Sequence, residues 1–129
     1  LEGLRVLVVD DETDAREWIR TVLQDSGAEV ILAASVGEAL EALQQSRPDV
    51  LVSDIGMPGE DGYALMRKIR EMESVSGVSI PAVALTGYAR VEDYREALAA
   101  GFQLHVAKPV RPAELIAVVA SLGKMSGKL

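Results

Sequence analysis

Four places in the chain offer groups that can do chemistry together. Asp10-Asp11-Glu12 sets three carboxylates in a row, and Asp54 stands alone after an apolar run. Thr86-Gly87 joins a hydroxyl to a bare backbone, and Lys108-Pro109 supplies an ammonium. Crowded carboxylates repel and resist joint ionisation. A hard divalent cation relieves that repulsion; Mg2+ takes oxygen ligands while keeping several waters, and Mn2+ suits the same donors. A carboxylate near such a cation can attack a phosphoryl group and form an acyl phosphate. The cation offsets charge on the transferring oxygens. A lysine can offset more from the other side, and a hydroxyl can donate to a phosphoryl oxygen. Gly87 would leave room for the group.

Each segment also has a plainer reading. Asp10, Asp11 and Glu12 can cap a helix and favour its positive end. Asp54 can be a turn residue, a metal ligand or a nucleophile. Thr86 can bond backbone at a strand end, and Lys108 can be a solvated surface lysine. Met57-Pro58 has a structural reading, since Pro fixes the loop after Asp54. The joint reading requires a fold that gathers all four segments.

The hydrophobic pattern supplies such a fold. Short apolar runs, at Arg5–Val9, Glu29–Ala33, Val50–Ser53, Ala82–Leu85 and Gln103–Ala107, read as five strands. Helical patterns alternate with them. Thr13–Gln24 spaces Ala15, Trp18, Ile19, Val22 and Leu23 along one stripe, with Trp18 in or beside the core, and Gly27 sits where a C-terminal glycine belongs. Ser35 and Glu38 form a capping box ahead of Val36, Ala39, Leu40 and Leu43, and Pro48 ends that pattern. Gly62 to about Ser74 turns Leu65, Met66, Ile69 and Met72 inward, and Ser74–Ser79 reads as a loop. Val91–Ala100 is closed by Gly101, and Pro112 opens a last helix. Strict alternation of strand and helix implies an α/β fold with a parallel sheet covered on both faces. Near-continuous apolar strands agree. In such sheets ligands sit beyond the carboxyl ends of the strands. Asp10–Glu12, Asp54, Thr86 and Lys108 fall at the ends of the first, third, fourth and fifth strands.

Composition limits the alternatives. At 129 residues and 49% hydrophobic the chain suggests one ordered domain. There are no cysteines and one histidine, which excludes disulfides, thiol catalysis and multi-histidine metal sites within the chain. A net charge of −7 argues against nucleic-acid phosphates as a partner. No apolar run approaches the roughly 18–20 residues of a membrane span, and no signal peptide precedes the first strand, so a cytoplasmic setting without membrane contact is expected. Starting at Leu1 rather than Met, the chain reads as a piece of something longer.

The segments "VLVVDDE", "DVLVSDIGMPGEDGY", "AVALTGYA" and "HVAKPV" together resemble the receiver domain of two-component response regulators over nearly the whole length. The resemblance implies a flavodoxin-like (βα)5 fold with strand order 2-1-3-4-5, a receiver over residues 1–123 and a frayed tail at 124–129. It implies Asp54 as phosphoacceptor. Mg2+ would be bound by Asp11, Asp54 and the Gly56 backbone carbonyl, with Asp10 acting through metal-bound water. Lys108 would contact the phosphoryl group, with a cis Lys108-Pro109 bond, and Thr86 would be the switch hydroxyl. The family carries Tyr or Phe three residues before the lysine, a ring whose burial changes as the threonine moves. Here that position is His105, which can titrate near neutrality. Gly56 and Tyr88 occupy positions that modulate dephosphorylation in the family.

The implied partner is a phosphohistidine on a histidine kinase or histidine phosphotransfer domain. A downstream protein or a second copy would meet helix four, strand five and helix five. The implied module phosphorylates and dephosphorylates itself and is no metabolic enzyme. The run "GFQLHVAKPVRPAELIAVVASL" resembles receivers at the ends of hybrid sensor histidine kinases; a free-standing regulator, or the receiver of a longer one, would share the chemistry. A haloacid dehalogenase-like phosphatase would need a second Asp two residues after the first, where Glu12 stands. A flavodoxin phosphate loop is incompatible with "DDETDA", and the Rossmann glycine pattern is absent.

Overall fold

The computed structural model describes every residue except Val78, Tyr88, Ala89 and Leu129, together with all side chains of the rest but that of Ser76. The elements are β1 (Arg5–Val9), α1 (Thr13–Asp25), β2 (Glu29–Ala33), α2 (Val36–Ser46) and β3 (Val50–Asp54). There follow α3 (Gly62–Ser76), β4 (Ala82–Thr86), α4 (Val91–Ala100), β5 (Leu104–Ala107) and α5 (Pro112–Met125). The five strands form one parallel sheet in the order β2-β1-β3-β4-β5. The expected fold class and strand order are therefore those observed.

The pleat splits the core in two. Leu7, Val9, Leu51, Ala82 and Ala84 face α2, α3 and α4, where they meet Val36, Leu65, Met66 and Ile69. Val6, Val8, Val50, Val52, Val83 and Leu85 face α1 and α5, where they meet Ile19, Leu23, Leu115 and Val119. Such burial on both faces is why β3 and β4 read as continuous apolar runs. No helix among the described residues is long and apolar enough to cross a membrane.

Several local expectations shift. Met72 is not an inward residue: it is 38% exposed, because α3 has by then run to the rim of a groove lined by Leu43, Ile69 and Ile80. Trp18 is 41% exposed, since Ile19 and Leu23 take the sheet-facing line of α1 and leave the indole on its flank. The loop expected from Ser74 begins later. α3 reaches Ser76 and is closed by Gly77 at φ 76°, whose N–H donates to Glu73 O at 2.8 Å. α5 likewise continues through Lys124 and Met125, with Gly123 buried on it. At the start of α2 the Glu38 N–H donates to Ser35 Oγ at 3.2 Å, but the Glu38 carboxylate accepts from Ala34 N at 3.1 Å, one residue earlier than a reciprocal box requires.

The edge of the sheet away from the strand tips is held by two polar junctions. Arg70 of α3 donates to Gly101 O from Nε and Nη2 at 3.1 and 2.6 Å and to Ile80 O from Nη1 at 2.8 Å. It also pairs with Glu73 at 2.6 and 2.7 Å and reaches Gln103 Oε1 at 3.2 Å. Glu73 accepts from Ile80 N and Gln103 from Ala82 N, each at 2.7 Å, so one guanidinium ties α3 to the entries of β4 and β5. At the second junction Asp49 accepts from Arg5 N at 2.9 Å and lies 3.9 Å from Lys128 Nζ.

Candidate phosphoacceptor and metal site

The strand tips converge as the motif spacing requires. Between β1 and β3 the strand order reverses, and the crevice of such a sheet opens there. By the alternation of the pleat, Asp10 continues the side of Val6 and Val8, and Asp54 that of Val50 and Val52. Lys108 continues the side of Leu104 and Val106, just beyond β5. Thr86 continues the opposite side, after Ala82 and Ala84. Three of the four groups thus approach from the α1/α5 side and the hydroxyl from the α3/α4 side.

Asp10 and Asp54 are 1% and 6% exposed, and Thr86 is buried as well. Lys108 Nζ donates to Asp54 Oδ1 at 2.8 Å and lies 3.8 Å from Asp10 Oδ2. The Lys108-Pro109 bond is cis, as the resemblance implies. Asp10, Asp11 and Asp54 each bring a carboxylate oxygen within 4.8 Å of the others. Asp10 Oδ1 accepts from Glu12 N at 2.9 Å, while Asp10 Oδ2 and Asp11 Oδ1 are buried without a hydrogen-bond partner among the described residues. Glu12 stays outside this cluster, and Gly56 lies exposed in the loop two residues past Asp54. Two orphaned, buried carboxylate oxygens facing a third carboxylate fit a hard divalent cation with oxygen ligands.

The electrostatics point the same way. Burial pushes the Asp10 carboxyl above the usual aspartate range; the Glu12 N–H and Lys108 pull against this, and the charges of Asp54 and Asp11 add to it. Burial works against the Lys108 ammonium, but the bond to Asp54 and the charges of Asp54, Asp10 and Glu12 outweigh it and hold its pKa above the ordinary lysine value. The raised Asp10 pKa means that its ionised form costs stability. That cost is absent below the unfolded-state pKa and complete above the folded one. Asp10→Asn keeps an acceptor for Glu12 N and removes the charge. It should raise the unfolding free energy at neutral pH. Urea melts in a chelator check this, and the gain should fade as pH falls toward about 4. The same variant should bind Mg2+ more weakly.

Two contributors carried no motif signal. Arg16, six residues after Asp10, donates from Nη1 to Asp10 O at 2.7 Å and pins the turn that presents the acidic pair. Gly62 read only as the start of a helix, yet a Cβ there would sit 2.5 Å from Asp54 O and 3.0 Å from Ile55 Cα. The first residue of α3 therefore packs against the backbone of Asp54 itself. Only the Asp-Gly pair before an apolar helical stripe hinted at this, since Asp61 caps α3 by accepting from Ala64 N at 2.9 Å. His105 lies on β5 against α4, away from the carboxylates. Tyr88 falls outside the described residues.

Comparison with known proteins agrees with this geometry. Residues 6–120 match the family model of the response regulator receiver domain. A 14.6 kDa protein encoded in the sodA1 3′ region of Leptolyngbya boryana is 45% identical over 92% of this chain and 89% of its own length. Response regulator Rre1 of Synechocystis is 38% identical over 94% of this chain, which spans only 52% of Rre1. Among solved structures, the chemotaxis response regulator CheY4 of Vibrio cholerae superposes with a TM-score of 0.84 at 32% identity, covering 92% of this chain and 98% of that one. With the family model spanning both the acidic pair and the lysine, the chain belongs to the response regulator receiver domains of two-component signalling.

Proposed function

We propose that Asp54 accepts a phosphoryl group from a phosphohistidine on a histidine kinase or histidine phosphotransfer domain. The observation that carries this reading is the placement of the Asp54 carboxylate, with Lys108 at 2.8 Å on one side and the Asp10–Asp11 pair on the other. An Asp54 oxygen attacks phosphorus, the new P–O bond forms as the P–N bond breaks, and the imidazole leaves with the electron pair and takes a proton from solvent. Asp11, Asp54 and the Gly56 carbonyl would hold Mg2+, with Asp10 through water, and the bound cation would offset charge on the phosphoryl oxygens. Lys108 turns from Asp54 to the phosphoryl group and offsets charge from the opposite side. Thr86 donates to a phosphoryl oxygen. Hydrolysis of the acyl phosphate resets the module.

The donor would enter beside α1, where a groove of about 660 Å3 lined by Trp18, Ile19, Pro109 and Val110 opens onto Asp10 and Lys108. The output surface would be α4, β5 and α5. Val91, Tyr94 and Leu98, at helical spacing on α4, are 63%, 46% and 42% exposed, which supports partner binding or pairing of two copies there. We read residues 1–123 as the functional receiver, in a cytoplasmic protein. The C-terminal run supports a place in a hybrid sensor histidine kinase. The relative of 14.6 kDa, almost fully covered by this chain, favours the second reading, a free-standing regulator.

Beryllofluoride with Mg2+, a stand-in for the aspartyl phosphate, tests the relay. Amide resonances around Asp54 and along α4, β5 and α5 should shift together. An unchanged spectrum on α4, β5 and α5 would count decisively against the switching surface.

A further inference from the structure

His105 is the single histidine of the chain, and its surroundings give its charge a consequence. β5 pairs with β4 in the register Ala84↔His105 and Thr86↔Ala107. Cross-strand partners share a face, so the His105 ring and the Thr86 side chain lie on the same α3/α4 side, separated by Ala107. The ring meets Tyr94 of α4 edge-on, with centroids 5.7 Å apart and planes at 81°. A cleft of about 340 Å3 lies alongside, lined by Arg90, Val91, Tyr94, His105 and Ala107. His105 Nε2 is buried and has no hydrogen-bond partner among the described residues.

Among the described residues, the titratable and charged groups that face the ring come from α4 and the residue that caps it. They are Arg90, Asp93 and Tyr94; β4 presents Ala84, and β5 itself Ala107. Arg90 Nε and Asp93 Oδ2 pair at 3.2 Å, so the Asp93 carboxylate already has a cation on it. Burial pushes the His105 pKa below the ordinary histidine value, against the smaller pull of Asp93. A neutral imidazole keeps this seat at little cost. An imidazolium with its proton on Nε2 needs a hydrogen-bond acceptor or water there.

We propose that a proton on His105 and the phosphorylated arrangement of the domain oppose each other, so that acidity damps the output of the phosphorylated receiver. This rests on the reading of Asp54 as phosphoacceptor. Drawing the Thr86 hydroxyl toward a phosphoryl group on Asp54 moves it toward β3 and away from β5. Volume then opens beside Ala107, and the ring that seats itself there is the uncharged one. Protonation favours the ring turned out to water. By linkage it favours Thr86 withdrawn from Asp54. Phosphorylation must in turn make His105 harder to protonate, by the same factor. A Tyr or Phe at this position carries no charge near neutrality and has no such linkage.

A lone histidine makes the test direct. The Cε1–H resonance of His105 is followed through a pH titration of the whole chain with Mg2+, with and without beryllofluoride. The midpoint is expected below the ordinary value of about 6.5 in the free domain and lower again, by about half a unit or more, with beryllofluoride. Half a unit is a roughly threefold coupling. In wild type the beryllofluoride-induced amide shifts along α4 and β5 should shrink between about pH 7.5 and about pH 5.5, and in H105F they should not. If the midpoint stays put while the amides around Asp54 move, the proton coupling is overturned and the phosphoacceptor reading stands. If the amides around Asp54 do not move, both fail, and the failure lies with Asp54.

Discussion

Asp54→Asn is expected to lose labelling by a small acyl phosphate in Mg2+ by more than about 100-fold, a barrier increase of at least about 2.7 kcal/mol. The carboxamide matches the carboxylate in shape, so the buried site at the end of β3 should keep its packing. It lacks the anionic oxygen that would attack phosphorus in the proposed transfer, and it gives Lys108 no charge to pair with. Lys108 then has Asp10, 3.8 Å away, as its anionic neighbour. Intact-mass measurement after a timed incubation reads the outcome, with peptide mapping to locate any residual label. Labelling of the variant at the wild-type level would show that another carboxylate is the acceptor, and Asp10 and Asp11 would be the next to replace.

Arg70→Ala should have the largest effect on folding. The guanidinium is the common partner of two backbone carbonyls, Glu73 and Gln103. Its loss leaves the Gly101 and Ile80 carbonyls short of donors and the mostly buried Glu73 carboxylate without its cation. A loss of about 3 kcal/mol is expected, a fall in Tm of roughly 10 °C for a domain of this size. Arg70→Lys should recover little, because an ammonium cannot span the same fork of acceptors. The junction lies at the far edge of the sheet from the carboxylates, so Mg2+ affinity of the folded variant should stay within about twofold of wild type. Chemical denaturation and a Mg2+ titration together separate the two effects.

The contrast between these residues explains what could be read before any coordinates. Strands, helices and the four acting groups were legible because each rests on a local signal. Apolar runs mark β3 and β4; Ser53-Asp54 closes the one and Thr86 the other, while Asp10 follows directly on β1. Strand alternation then fixes where the side chains meet. The order β2-β1-β3-β4-β5 was not in that signal; alternation alone allows other parallel orders, and it came from the family resemblance. Arg70 was invisible because its partners, Ile80, Gly101 and Gln103, are distant in sequence and are mostly backbone. The close approach of Gly62 to Asp54 went unread for a related reason. A glycine that merely opens a helix and one pressed on a carbonyl look alike until the neighbour is placed. Met72 followed the helical period faithfully, but periodicity cannot tell where the sheet beneath a helix stops.

The Asp49 junction has a practical side. Its carboxylate meets the start of β1 through Arg5 N and the end of the chain through Lys128, while the Leu1 ammonium is fixed to Ser26 O at 2.8 Å just beyond α1. Leu1 and Lys128 thus lie toward the edge opposite Asp54, separated from it by the length of a five-residue strand, about 16 Å. A dye, an affinity handle or a second folded module attached at either end therefore hangs clear of the carboxylates.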